Sequence, residues 1–276
     1  ADREPNEAVR KRLLTFVVAG GGFAGIELAG ALNDFARGIL SDYPSLRSDE
    51  VRVVVVHARE RILPELSEAL ATYALAKMMD RGVQFRLNTR VADATDDAVI
   101  LDPDEMILSN TLVWTAGTAP NPLLATLDIA HDKRGAVVVD AHMAVPSRGG
   151  LWALGDCAAI PDTVHGGTYP PTAQHALREA ATLARNVLAS VRSEPLAVFS
   201  FESLGALCVI GHQTACAEVR APLTGRKLLF SGVFAWFLWR AIYLGKLPGF
   251  ERKVRVLVDW ITELFFPRDT VQTIEL

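Results

Sequence analysis

Residues 16–30, FVVAGGGFAGIELAG, constrain this chain more than any other stretch. The run LLTFVVAG is apolar and β-branched, the pattern of a parallel strand buried on both faces. It leads into Gly20, Gly21, Gly22, Phe23, Ala24 and Gly25, in which Gly20, Gly22 and Gly25 match GxGxxG. Ile26, Leu28, Ala29, Ala31 and Leu32 follow at helical spacing. Strand, glycine turn and helix in that order suit a pyrophosphate. The first glycine turns tightly and the second admits phosphates to backbone N–H groups. The third lets helix and strand pack closely. A dinucleotide site is expected at residues 20–25.

The next strand is read at residues 51–60, VRVVVVHARE. An acid usually ends this strand and binds the ribose 2′-hydroxyl. Here the position holds His57, after a lengthened crossover. Either Glu60 substitutes for the acid, or Arg59 and His57 tolerate a 2′-phosphate. His57 reads equally well as a surface histidine at a strand end. An amphipathic helix then runs to Gly82 and a third strand follows. Residues 91–117 alternate in short bursts, which predicts a small antiparallel meander before a strand at 111–115.

With 276 residues, half of them apolar, the chain is long enough for one or two globular domains. Its three cysteines, Cys157, Cys208 and Cys216, form no CxxC and no zinc-like cluster, so neither a metal nor a disulfide framework is expected. The opening sixteen residues lack the apolar core of a signal peptide. Net charge is −4, but residues 220–258 carry eight basic side chains against one acid. A basic, aromatic tail thus sits on an acidic body, and no nucleic-acid-reading module accompanies it.

Two further stretches carry a family resemblance. In GGLWALGDCAAI, residues 149–160, a strand-like core at 151–154 ends in Gly155 and Asp156. Together with the glycine turn and VWTAG at 113–117, it resembles the pyridine nucleotide-dependent flavoprotein superfamily. Residues 168–188, TYPPTAQHALREAATLARNVL, resemble the segment of type II NADH dehydrogenases that lies over the flavin and lines the quinone site. Pro170 and Pro171 give a stiff lead into a helix, Ala173 lets a flat ring approach, and Gln174 can donate a hydrogen bond without adding charge. Arg178 and Glu179 stand where that family often has a second glutamine.

The resemblance implies an α/β protein with three parts. Residues 1–118 would form a Rossmann-like nicotinamide domain with a β-meander, 119–190 the C-terminal part of a flavin domain, and 191–276 a strand and amphipathic-helix region that docks on a membrane. Residue by residue, it implies Gly20, Gly22 and Gly25 at the nicotinamide pyrophosphate, Glu27 facing the nicotinamide, and Gly117 in the cofactor cleft. Asp156, after Gly155, would bond the flavin ribityl chain, with Gln174 near flavin and quinone. The implied cofactors are FAD and NAD(H), with NADP(H) open. The implied activity passes a hydride from NADH to FAD and then electrons to a membrane quinone, without proton pumping. A flavoprotein reductase with another acceptor is an alternative, as is a nucleotide-binding fragment without turnover. The single glycine motif further implies that the flavin domain's N-terminal half is missing. Residues 119–190 would then expose apolar surface, at about 1.5–3 kcal/mol per large side chain, and the region is expected to be mobile, self-associated or rearranged relative to the family.

In the tail, two apolar, aromatic segments are broken by Arg240, Lys246, Pro248 and Gly249, and neither reaches the length of a spanning helix. Trp236, Trp239, Tyr243 and Trp260 among basic residues suit helices lying in an anionic membrane interface. A buried hairpin or a homodimer face would use the same pattern. The resemblance implies a peripheral protein on the cytoplasmic side of the inner membrane.

Overall fold

The structure is a computed structural model and describes residues 1–146, 148–221 and 224–266. The first elements are α1 (Glu7–Leu13), β1 (Thr15–Ala19), α2 (Phe23–Gly38), β2 (Arg52–Val56), α3 (Glu68–Asp80) and β3 (Val83–Arg86). A meander follows, β4 (Arg90–Ala94), β5 (Ala98–Asp102) and β6 (Glu105–Leu108), and then β7 (Thr111–Trp114). The middle of the chain holds the two-residue strands β8 (Val137–Val138) and β9 (Ala158–Ala159) and the long helix α4 (Ala173–Val191). The C-terminal part holds β10 (Gly205–Val209), β11 (Ala215–Arg220), β12 (Lys227–Ser231), α5 (Gly232–Lys246) and α6 (Phe250–Phe265). Two compact units result, Ala1–Ala116 with Gly205–Leu276, and Gly117–Leu204.

In the first unit, β3, β2, β1 and β7 lie side by side and run parallel. Their sequences read as continuous apolar runs because both faces of the sheet are covered. Val18, Val53 and Val55 face a core built with Ile26 and Ala29 of α2, Leu70, Ala74 and Met78 of α3, and Cys208 and Cys216 of the C-terminal sheet. Val17, Val54 and Val56 face the opposite way, against Val99, Leu101 and Ile107 of the meander. The meander is therefore the lid of the sheet's second face. The C-terminal strands form an antiparallel sheet, β10-β11-β12, whose turn seats α2 closely. A Cβ on Gly30 would come 2.7 Å from the carbonyl carbon of Ile210, so only glycine permits that approach.

The second unit has its own core of Val137, Val139, Met143, Val145, Ile160, Tyr169 and Phe199. One expectation is corrected here. Residues 151–154 form no strand; only Trp152 bridges Ala144. Their neighbour Met143 sits at φ 68°, outside extended geometry, so a ladder cannot propagate through it. The regular pairing is instead that of β8 with β9, the latter directly after the Gly-Asp turn. Pro170 and Pro171 lead into α4, which Thr172 caps and which starts at Ala173. The buried face of α4 is polar, formed by His175, Glu179, Thr182 and Asn186, while Leu177, Leu188 and Val191 are exposed. Burial of Asn186 is satisfied by three backbone bonds, to the carbonyls of His142 and Ala197 and from the Ala197 N–H, each of 2.8–2.9 Å.

Candidate functional site

The glycine turn is built by the strand tips around it. Gly20, at φ 124°, donates its N–H to the carbonyl of Val56 over 2.8 Å. Leu63 donates to the carbonyl of Gly21 over 2.7 Å. Each glycine does a different job. A Cβ on Gly25 would stand 1.9 Å from the Gly20 carbonyl oxygen and 2.7 Å from Oγ1 of Thr115, so helix and turn touch there. A Cβ on Gly22 would find nothing nearer than Glu65 Oε1 at 4.0 Å. That open side, at the uncapped start of α2, is where backbone N–H groups and the helix dipole offer themselves to an anion. Phe23 and Ala24 open the helix.

His57 is the floor of this turn. The Gly21 N–H donates to its Nδ1 over 3.1 Å, and its Nε2 lies 3.1 Å from the carbonyl of Arg61. Those partners require the neutral tautomer with the proton on Nε2. Burial lowers the pKa of the ring, and the Arg59 guanidinium lowers it further, against the Arg61 carbonyl and Glu65. A Cβ on Gly21 would meet the imidazole Cγ at 2.6 Å. Arg59 and Glu60, just past the strand, are exposed.

Glu27, one turn into α2, has one carboxylate oxygen 3.1 Å from the Val209 N–H of β10. Burial raises its pKa, and that hydrogen bond offsets only part of the rise. The resemblance pointed this carboxylate toward the nicotinamide; the structure gives it a partner in the C-terminal sheet.

In the second unit, Gly155 (φ 69°), Asp156 and Cys157 form a single tight turn packed on α4. The Gly155 N–H donates to Glu179 Oε2 over 2.7 Å, and Asp156 is exposed beside it. Burial raises the pKa of Glu179, with the Asp156 charge as a lesser cause. Ala173 starts α4, and Gln174 Oε1 accepts from the Leu204 N–H over 3.0 Å. The Arg178 guanidinium lies 4.2 Å above the Phe201 ring. Gly117, at φ 75°, has open space where a Cβ would stand.

The structure thus gathers Gly20, Gly21, Gly22, Phe23, Ala24, Gly25 and His57 in one place, and Gly155, Asp156, Ala173 and Gln174 in another. The roles of two residues in the arrangement escaped sequence reasoning. Thr115 braces the turn, donating from Oγ1 to the Ala19 carbonyl over 2.8 Å; its place just after the last parallel strand was the available signal. Glu179 holds the Gly-Asp turn, and nothing local marks a helix glutamate for that task. Two hollows of the described surface lie elsewhere. One of about 540 Å³ is lined by residues including Lys11, Arg12, Arg52 and Glu105, and one of about 310 Å³ by Phe16, Phe35, Leu40 and Val51 among others. Neither opens on the glycine turn, which is a rim site shaped by backbone.

A parallel sheet with a glycine turn braced by its own strand tips defines a nucleotide-binding α/β protein. The chain belongs to the pyridine nucleotide-disulphide oxidoreductase family, whose model matches residues 3–180, and residues 204–269 match the NDH2 C-terminal domain. Among curated relatives, a "Probable NADH dehydrogenase" of Dictyostelium discoideum is 33% identical over 263 residues, covering 94% of this chain and 56% of that protein. The "Type II NADH:quinone oxidoreductase Ndh" of Mycobacterium tuberculosis is 28% identical over 272 residues, again with 94% and 56% covered. The chain therefore spans about half the length of these relatives. The solved structure of Plasmodium falciparum NDH2 in complex with NADH superimposes with a TM-score of 0.81 at 16% identity. It covers 97% of this chain and 69% of that one, and it shows a common fold.

Proposed function

We propose that this chain is the nicotinamide-binding and C-terminal portion of a type II NADH:quinone oxidoreductase. One observation carries the reading: a dinucleotide glycine turn and an NDH2 C-terminal domain share one chain. In this reading, Gly22 and the start of α2 hold the donor's pyrophosphate by backbone N–H groups, while Gly20 makes the tight turn and Gly25 lets the helix pack against it. The exposed Asp156, on a turn fixed by Glu179, would hold the ribityl chain of FAD, and Ala173 would leave room for its ring. Bound FAD supplies the chemistry that accepts a hydride and releases electrons to an acceptor. The chain's own residues position and solvate. Gln174, oriented by its bond from Leu204, offers a neutral hydrogen-bond group to flavin or quinone. Glu27 keeps a carboxyl with a raised pKa near the donor's binding helix, a group able to hold a proton there.

The buried cysteines of this portion are not suited to thiol exchange. All three are free, and burial pushes the Cys216 thiol up to about 12 and Cys208 well above its usual range. Such thiols are poor nucleophiles.

The C-terminal hairpin supports a peripheral membrane role. Among the described residues no helix is long and apolar enough to cross a membrane. On α6, Val254, Leu257, Val258, Ile261 and Leu264 form an exposed stripe at helical spacing, and none of the helix is buried. Phe234 and Phe237 of α5 are exposed as well. Arg252, Lys253 and Arg255 lie on the same helix as the stripe, which suits the anionic cytoplasmic face of an inner membrane. Pairing of two copies through this stripe is the competing use.

Visible absorption of the purified chain, with FAD and then NADH added, tests the reading. Flavin bands that sharpen on mixing, bleach with NADH and return with a soluble quinone analogue support it. NADH binding with no flavin response would reduce the chain to a nucleotide-binding module.

A further inference from the structure

We infer that the hollow between α1 and the meander is a second binding site, for an amphiphilic carboxylate, a singly charged head joined to an apolar chain. The hollow lies at the end of the parallel sheet remote from the glycine turn. Thr15 and Arg52, register partners at the first positions of β1 and β2, both line it. Five strand residues at about 3.3 Å each put the turn after Ala19 roughly 15 Å away. An occupant here leaves the dinucleotide site free. At about 540 Å³ the hollow is of ligand-site size, roughly 300–1,000 Å³.

Its lining has two chemistries. The apolar part comes from β6, where Met106 and Leu108 are 61% and 48% exposed while Ile107 between them is buried in the core under the sheet. Alternation along the strand puts Met106 and Leu108 together on the outer face, and both line the hollow. The cationic part is Lys11 and Arg12 from the end of α1, with Arg52 from β2. The acids that line it are Glu7 and Glu105. Glu105 accepts from Arg86 Nε at 2.8 and 2.9 Å, and Glu7 pairs with Lys11 at 2.7 Å. Arg12 gives its Nη1 to Asp97, but its Nε is buried with no hydrogen-bond partner among the described residues. Arg52 has the neutral amide of Gln84, 3.2 Å from its Nη2, and no carboxylate partner among the described residues. A buried donor left unpaired is costly, so an occupant that brings an acceptor is favoured. Three cations against two acids leave an excess of one charge, which suits a carboxylate head better than a doubly charged phosphate. The apolar chain of such a ligand would cover Met106 and Leu108.

Decanoate titrated into the chain below its micellar range tests this, with hydrogen exchange as the readout and neither flavin nor quinone present. The expected result is protection at residues 7–15 and 105–108 that saturates with decanoate and is unchanged by NADH. Decyltrimethylammonium, a similar chain with the opposite charge, should protect neither stretch at the same concentration, nor should acetate, the head without the chain. Arg52→Gln should raise the decanoate dissociation constant about tenfold or more, the scale of one lost charge-assisted hydrogen bond. Leu108→Glu, an exposed change that sets an acid on the apolar wall, should abolish the protection. Circular dichroism verifies that each variant folds. Equal protection by both charges would reduce the hollow to a bare apolar surface and overturn the inference. So would protection confined to other segments, loss of protection on adding NADH, or a dissociation constant that either substitution leaves unchanged.

Discussion

Gly22 and Gly25 lie three residues apart and answer to different forces. Gly25→Ala drives a Cβ into the Gly20 carbonyl, 1.9 Å away, and neither helix nor turn can yield. Unfolding free energy should fall by about 1–3 kcal/mol, measured by denaturant melts, with dinucleotide binding lost. Gly22→Ala meets no protein atom closer than 4.0 Å, so stability should change little while nucleotide affinity drops. A result with both effects reversed would misassign the two glycines. His57 sets a pH limit on the same turn. Its folded pKa lies below the ordinary 6.5, so the neutral form is favoured by folding. The contribution is whole above 6.5 and is lost as pH falls through the folded value, where protonation of Nδ1 breaks the bond from Gly21. Stability and nucleotide affinity should therefore decline together in mild acid, and His57→Gln should flatten that decline. The GxGxxG pattern was readable because its residue types follow from backbone geometry. The role of His57 was not, because its partners are the N–H of Gly21 and the carbonyl of Arg61, which no residue type encodes.

At the scale of elements, Arg240 joins α5 to α6. Its guanidinium lies 3.8 Å above Trp236 and 4.6 Å above Trp260 and pairs with Glu263 at 2.8 Å, with its side chain 11% exposed. Two aromatic faces and a partly buried carboxylate suggest about 1–3 kcal/mol for this clasp. Arg240→Ala should loosen α6, seen as faster hydrogen exchange between residues 250 and 265, while the parallel sheet keeps its protection. Unchanged exchange in α6 would mean that other contacts hold the hairpin. The parallel strands and the helices α2 and α3 were legible because a doubly buried strand and an amphipathic helix have distinct periods. The face of α4 was not legible. His175, Glu179, Thr182 and Asn186 are its buried residues, and of these Glu179 and Asn186 serve backbone groups elsewhere in the unit, which residue type alone does not announce.

Over the whole molecule, charge is divided: net −4, with the basic excess concentrated at residues 220–258. Attraction of that tail to an anionic surface is screened over about 10 Å at 0.1 M salt. Binding to vesicles containing anionic lipid should therefore weaken steeply as salt rises, and binding to neutral vesicles should be weak throughout. Salt-insensitive binding, or concentration-dependent dimerisation without vesicles, would favour a copy-to-copy interface for the α6 stripe. Order along the chain, the glycine turn, the meander and the basic tail all follow from local pattern, since each depends on residues close in sequence. Which residues brace one another does not. Glu27 with Val209, Gly30 with Ile210, and Glu179 with Gly155 meet across long stretches of chain. Those pairings exist only once packing has brought distant groups together, and a buried N–H donates to whichever oxygen the fold delivers to it.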